Sequence, residues 1–139
     1  MALPKSREAQ IFYRAAIQRF DDARFLLEVG GRTTPAVYLA GYSVECMLKA
    51  LILSTLAGKN RARILESFKG SKAHDFRWLR DMYFKKRGPS FPREIAHCFI
   101  IVGTWSTALR YEPGMTRRTI AVEFLEAAEK IIRWADERM

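Results

Sequence analysis

The side chains that most often bind metals or act as nucleophiles are scarce in this chain. It contains two histidines, His74 and His97, and two cysteines, Cys46 and Cys98. A structural zinc site needs four converging ligands, and the sequence has neither a CxxC nor an HxxxH pair. It also has no G-x-S-x-G motif and no glycine-rich phosphate loop. We therefore expect no metal, no cofactor and no activated nucleophile.

The dipeptide His74–Asp75 resembles the HD pair of metal-dependent phosphohydrolases. Those enzymes need further histidines upstream, and none precedes His74 in this chain. Asp75 has a simpler role as a helix N-cap, because its carboxylate can accept hydrogen bonds from the free N–H groups of a first turn. We interpret Asp75 as a cap.

Positive charge is the strongest chemical signal in the sequence. The formal net charge is +9, and it is concentrated in residues 59–93, where eleven basic residues face three acidic ones. The basic residues of this segment are Lys59, Arg61, Arg63, Lys69, Lys72, Arg77, Arg80, Lys85, Lys86, Arg87 and Arg93. A local excess of this size indicates an anionic partner such as RNA, a nucleotide or an acidic protein surface.

Helical periodicity recurs along the chain, and no stretch alternates apolar and polar residues as a strand would. Ser6 can cap a first helix, which ends at Gly30 and Gly31. A second helix is predicted to begin at Thr33 or Thr34 and to end before residue 58.

Three more helices complete the predicted fold. A short helix begins after Asp75 and ends in the basic run at residues 85–88, and longer helices cover residues 93–109 and 116–137. We expect an all-α domain over residues 1–139, an up-and-down antiparallel bundle of four long helices and one short helix.

The second helix is the most apolar segment and the expected centre of the core. Glu45 and Lys49 interrupt it, and each charge would cost about 2.5–3.5 kcal/mol at the centre of a membrane helix, so we predict a buried helix rather than a membrane span. The i,i+4 spacing lets Glu45 pair with Lys49. Glu45 is expected to be structural first, and a ligand-binding carboxylate is the alternative.

A homodimer is a further expectation. Small residues in the early turns of the second helix, such as Gly41, permit close approach of another helix, which in so short a chain can belong to a second subunit. Trp105 and Trp134 add more apolar surface than five short helices need to bury. The alternative is a well-filled monomer core. The charged N-terminus lacks the apolar run of a signal peptide, and both cysteines lie in apolar surroundings, so we expect a cytoplasmic protein.

Three segments together resemble one known family. The runs AVYLAGYSVECMLKALI (36–52), HDFRWL (74–79) and WSTALRY (105–111) are similar to HEPN domains, the "higher eukaryotes and prokaryotes nucleotide-binding" family. The resemblance spans about residues 8–135. It implies a helical bundle, often a homodimer, that acts beside a small nucleotidyltransferase, in toxin–antitoxin or defence systems, or with RNA.

Many HEPN proteins are metal-independent ribonucleases that use an arginine followed after four to six residues by a histidine. In that chemistry histidine transfers protons at the 2′-hydroxyl and the leaving oxygen, and arginine stabilises the phosphorane. The resemblance places Arg110 at the arginine position, but Met115, Thr116 and Arg117 stand where the histidine would be. The ribonuclease motif is therefore not intact.

Three functions stay open on this sequence. The first is a non-catalytic module that binds RNA or a nucleotide, and the second is a divergent ribonuclease in which His74 or His97 acts across a dimer interface. The third is a structural subunit that binds an acidic protein.

For the first function we predict a ligand site where the basic segment approaches the end of the WSTALRY run, with Trp78 or Tyr111 stacking on a base. Its residues are Arg110, Tyr111, Arg77, Arg80, Lys85, Lys86 and Arg87. The alternative is a solvated basic face on which Arg110 only caps a helix end.

Overall fold

The computed structural model describes residues 3–87 and 91–139, with the side chains of Lys86 and Arg87 outside the description. These residues form an all-helical fold without strands, as the sequence predicts. The α-helices are α1 (Arg7–Glu28), α2 (Thr33–Ser54), α3 (Gly58–Ser67), α4 (Phe76–Arg87), α5 (Arg93–Val102) and α6 (Arg118–Asp136). Two short 3₁₀ helices, Ser71–His74 and Thr107–Tyr111, precede α4 and α6.

Helix α2 is the centre of the core. Seventeen of its 22 residues are buried, and it packs against α1, α4 and α6. It is long and apolar enough to cross a membrane by length and composition, yet most of its apolar window is buried inside the protein, as in a core helix. The prediction that this helix is the most buried element is confirmed, although it ends at Ser54 rather than near residue 57.

Local capping signals place several helix ends where the sequence predicts them. The Ser6 hydroxyl accepts a hydrogen bond of 3.0 Å from the Ala9 N–H at the start of α1. Gly31 follows the end of α1 with a φ of +63°, a left-handed conformation that favours glycine. The Asp75 carboxylate accepts a 2.8 Å hydrogen bond from the Arg77 N–H and thereby caps α4.

The predicted start of α2 is confirmed, because the helix begins at Thr33. Arg32 is at its N-cap position and makes no side-chain cap hydrogen bond. The Thr34 hydroxyl instead accepts from the Thr116 N–H at 2.8 Å and donates to the Gly114 carbonyl at 2.9 Å. It therefore fixes the segment that leads into α6.

Helix α3 is absent from the sequence prediction, and α5 is shorter than predicted. None of the residues of α3 is fully buried, so the segment carries too weak an apolar pattern to mark a helix. Helix α5 ends at Val102 because Gly103 forms its C-cap and the chain then turns toward the core. Only residues 107–111 of the remaining predicted stretch are helical, as a 3₁₀ turn.

That turn brings Trp105 against α2 at Gly41. A Cβ atom at position 41 would lie 2.2 Å from the indole ring, so only glycine fits there. The close neighbour of Gly41 is therefore an aromatic side chain of the same chain, not the helix of a second subunit. Trp105 and Trp134 are both buried within the single chain.

Candidate functional site

A cavity of about 880 Å³ is lined by the 3₁₀ helix Ser71–His74, the start of α4, one face of α5 and the turn that follows α5. Its volume falls in the range of small-molecule pockets. The lining residues are Ser71, His74, Asp75, Phe76, Arg77, Arg80, Ala96, Phe99, Ile100, Gly103, Trp105, Ser106 and Thr107.

Two arginines make one wall of this cavity cationic. The Asp75 cap fixes the first turn of α4, and Arg77 and Arg80, three residues apart on that helix, both line the cavity. Neither forms a salt bridge with any carboxylate in the part of the chain that the structure describes. The sequence prediction that these two side chains share one helix face agrees with this placement, while ligand binding by them stays a prediction.

Arg80 is held in an unusual environment for a cation. Its guanidinium carbon lies 4.8 Å from the ring centroid of Phe99 and 5.4 Å from that of Phe91. Its Nε is buried and has no hydrogen-bond partner within residues 3–87 and 91–139. Burial lowers the pKa of Arg80, an effect that Asp81 opposes and Arg77 reinforces. Such a guanidinium can accept an anion with little further loss of hydration.

Behind the cavity lies a buried ion pair. Lys49 Nζ donates to Glu45 Oε2 at 2.8 Å, and the two side chains are only 6% and 1% exposed. The Lys49 ammonium lies over the rings of Phe12 and Phe68, at 5.6 and 5.4 Å from their centroids. The predicted pairing of Glu45 with Lys49 is confirmed, and it leaves Oε1 of Glu45 free for another donor.

His74 connects this ion pair to the cavity. Its Nδ1 lies 3.0 Å from Glu45 Oε1, while its side chain is 46% exposed and lines the cavity. Because the two residues are 29 positions apart, no spacing rule links them, and the sequence reasoning missed the contact. The sequence does single out His74, as half of the HD dipeptide and as a candidate residue of a divergent ribonuclease, but it indicates no partner for the ring.

The aromatic rings at the cavity already have partners. Trp105 stacks on Phe76 with a centroid distance of 5.1 Å and on Tyr38 at 6.0 Å. Its Nε1 donates to the Tyr38 carbonyl at 3.1 Å. The indole therefore has no free face for a base. The apolar surface that stays accessible is on α5, where the side chain of Ile100 is exposed and lines the cavity.

The comparison with family models decides the classification. The model described as "HEPN domain" matches residues 9–138, nearly the whole chain. The protein belongs to the HEPN family. No curated protein and no solved structure matches the chain. HEPN domains are helical modules that bind nucleotides or RNA, and the all-helical fold agrees with this membership.

This HEPN domain separates the residues that the sequence groups into one site. Arg110 and Tyr111 belong to the 3₁₀ helix Thr107–Tyr111, both are exposed, and neither lines the cavity. The Arg110 guanidinium lies 5.1 Å from the centroid of the Tyr111 ring. Thr107, at the other end of the same turn, is a cavity residue. The predicted site thus divides into a cavity part and a surface part joined by one 3₁₀ turn.

The remaining predicted residues lie elsewhere or are not described. Lys85 is exposed on α4 and does not line the cavity. The side chains of Lys86 and Arg87 lie outside the described residues. Trp78, a predicted stacking residue, is half-buried and contacts Phe68 edge-on at a centroid distance of 6.4 Å.

The described residues of this HEPN domain can be compared with the requirements for binding a metal ion and for reaction at a thiol. Within the described residues no group of three or more histidine, cysteine, aspartate or glutamate side chains is placed to hold a metal ion. Cys46 and Cys98 are free and buried, as the sequence predicts. Burial raises the pKa of the Cys46 thiol to about 12, and the neighbouring Glu45 charge adds to this effect. Neither cysteine is therefore suited to nucleophilic chemistry.

Proposed function

We propose that this HEPN domain is a non-catalytic module that binds RNA or a nucleotide, with phosphate held by Arg77 and Arg80 in the cavity. The guanidinium of Arg80, which forms no salt bridge within the described residues and lies over the rings of Phe91 and Phe99, carries this proposal. A phosphate can satisfy the hydrogen-bonding groups of both arginines, whose planar forks match its oxygen atoms. We also propose that a longer ligand contacts Arg110, Tyr111, Lys85, Lys86 and Arg87.

The residues that line the cavity favour a nucleotide as the ligand. The wall on α4 presents cations, whereas the wall on α5 presents the apolar side chains of Ala96 and Ile100. Ser71, Ser106 and Thr107 add hydroxyl groups along the lining. A ligand with an anionic end and a flat apolar part fits both walls, which is the arrangement of a nucleotide.

The test measures binding of a fluorescein-labelled octamer of uridine by anisotropy at low salt. Replacing both Arg77 and Arg80 by alanine should weaken binding at least about a hundredfold, because each charge-assisted hydrogen bond contributes about 1.5–3 kcal/mol. It should also flatten the dependence of affinity on salt. The matched control replaces Arg7 and Arg14, two exposed arginines of α1, and so removes the same charge away from the cavity.

The control variant should lose no more than about threefold in affinity. Charges that do not touch the bound phosphate are screened by salt and contribute little to binding. Equal losses in the two double variants would mean that charge alone drives binding and would refute the cavity site. Absence of binding by the wild-type protein would refute the proposed function itself.

A divergent metal-independent ribonuclease is the second candidate, and the Glu45–His74 hydrogen bond favours it. A carboxylate that orients a histidine is the arrangement of a general acid–base, and Arg77 and Arg80 line the same cavity to stabilise a charged phosphorane. Cleavage of the uridine octamer in EDTA, lost in His74→Ala, would establish this activity. An intact octamer after prolonged incubation supports the non-catalytic module.

The domain is also proposed to act in the cytoplasm as a homodimer and beside a partner protein such as a nucleotidyltransferase of a toxin–antitoxin or defence system. The burial of α2 by α1, α4 and α6 removes the reason that the sequence offered for dimerisation. Another reason replaces it, because Ile11 and Phe25 on α1 and Val29 at its C-cap are more than half exposed. Sedimentation of a 16.1 kDa species at micromolar concentration would exclude the dimer.

A further inference from the structure

The buried carboxylate of Glu45 determines which nitrogen of His74 carries a hydrogen. An ionised carboxylate can only accept hydrogen bonds, so at 3.0 Å from Oε1 the Nδ1 atom must be the donor. In a neutral imidazole the other nitrogen, Nε2, is then an acceptor with a free lone pair. Since the His74 ring lines the cavity, this acceptor belongs to the ligand site.

Charged groups lie around the His74 ring on α2 and α4. Glu45 is paired with Lys49 at 2.8 Å, and Arg77 and Arg80 line the same cavity as the ring. Among the described residues, Asp75 is the one carboxylate that lines the cavity, and its Oδ1 accepts from the Arg77 N–H at 2.8 Å.

We infer that His74 is a specificity-determining residue that accepts a hydrogen bond from a ribose 2′-hydroxyl, and that Glu45 is its positioning residue. The inference rests on the proposed function, because Arg77 and Arg80 must hold the adjacent phosphate. A lone pair on Nε2 is repelled by anionic phosphate oxygens but pairs with a hydroxyl donor. The 2′-hydroxyl is the donor that distinguishes RNA from DNA. The cavity therefore selects ribonucleotides by hydrogen bonding at one atom.

The first test compares labelled octamers of uridine and of deoxyuridine, which differ only in the 2′-hydroxyl. The wild-type protein should prefer the RNA octamer about tenfold, because the DNA leaves the Nε2 acceptor in the cavity without its partner. His74→Asn should lose this preference and bind both octamers with the DNA-like affinity. The asparagine amide can still donate to Glu45, so the support of the fold is kept while the Nε2 acceptor is removed.

The matched control is His97→Asn, which changes an exposed histidine of α5 that does not line the cavity. It should keep the tenfold preference. Equal binding of the two octamers by the wild-type protein, or an RNA preference that survives in His74→Asn, would overturn the inference. If Arg77 and Arg80 variants still lose both octamers in that case, the phosphate site stands and only the ribose contact falls. If the wild-type protein binds neither octamer, both proposals fall.

A second measurement uses the wild-type protein without any substitution. Nitrogen-15 spectra of labelled histidines at about pH 8 distinguish the Nδ1–H tautomer from the Nε2–H tautomer of each ring. His74 should be in the Nδ1–H form, and its Nε2 resonance should shift when the uridine octamer is added. The Nε2–H form, or an Nε2 resonance that the octamer does not move, would overturn the inference.

Discussion

Replacing Glu45 by glutamine removes one charge from the most deeply buried ion pair of the described structure. Lys49 is then left as an uncompensated cation whose side chain is 6% exposed. Breaking a buried pair by removing one partner costs about 3–5 kcal/mol. We expect about 3 kcal/mol for Glu45→Gln, because the amide oxygen still accepts from Lys49 and the contacts of the ammonium with Phe12 and Phe68 persist.

The assay is urea unfolding followed by tryptophan fluorescence and circular dichroism. With a slope of about 2 kcal/mol per molar urea, a loss of about 3 kcal/mol lowers the midpoint by about 1.5 M. The slope itself should not change, because the fold and the buried surface stay the same. Asp22→Asn is the matched control. It removes one partner of the surface pair with Arg19, and such exposed pairs contribute at most about 1 kcal/mol.

A double variant, Glu45→Met with Lys49→Met, separates the missing charge from the missing contacts. It replaces the ion pair by apolar side chains of similar length, which in other proteins is neutral or stabilising. We expect it to recover most of the stability that Glu45→Gln loses. A midpoint for Glu45→Gln equal to that of Asp22→Asn, or a double variant less stable than the single one, would refute the reasoning from an uncompensated buried lysine.

Two further outcomes follow from packing and burial. Gly41→Ala should destabilise the fold by at least about 1–3 kcal/mol and lower the melting temperature, because its Cβ would lie 2.2 Å from the Trp105 ring. The control is Gly58→Ala, whose Cβ meets open space, and its melting temperature should be equal to that of the wild-type protein or higher. Equal melting temperatures for both would contradict the close approach of Trp105. Burial raises the pKa of Cys46 to about 12. At about pH 8, roughly one molecule in ten thousand should therefore carry the Cys46 thiolate. It should react with a thiol reagent only on unfolding, and rapid reaction of Cys46 in the native protein would contradict this.

The sequence predicts those features that depend on neighbouring residues. Ser6 and Asp75 cap helices by bonds to N–H groups two or three positions away, and their roles can be inferred from residue type and position. The Glu45–Lys49 pair is also local, since one helical turn separates its members. The family resemblance predicts how the helices form one bundle. It can do so because it relates three segments that are far apart in the sequence, which no local rule does.

Contacts between distant segments could not be predicted in the same way. The hydroxyl of Thr34 can cap its own helix or bond to a loop 82 residues away, and residue type does not distinguish these roles. The sequence predicts Arg110 beside Arg77 and Arg80, and it also predicts a continuous helix over residues 93–109. Since α5 ends at Val102, the chain turns and only Thr107 of the following 3₁₀ helix lines the cavity.

Glu45 links the stability of the core to the chemistry of the cavity. One of its oxygens accepts from Lys49 and the other lies 3.0 Å from His74 Nδ1, so under our proposal the same carboxylate serves the fold and the ligand site. A loss of binding in a Glu45 variant therefore cannot separate the two roles. His74→Asn can, because it changes the cavity atom and leaves the buried pair intact. The structural and functional interpretations of Glu45, which are alternatives on the sequence alone, are thus compatible in the folded protein and experimentally separable at His74.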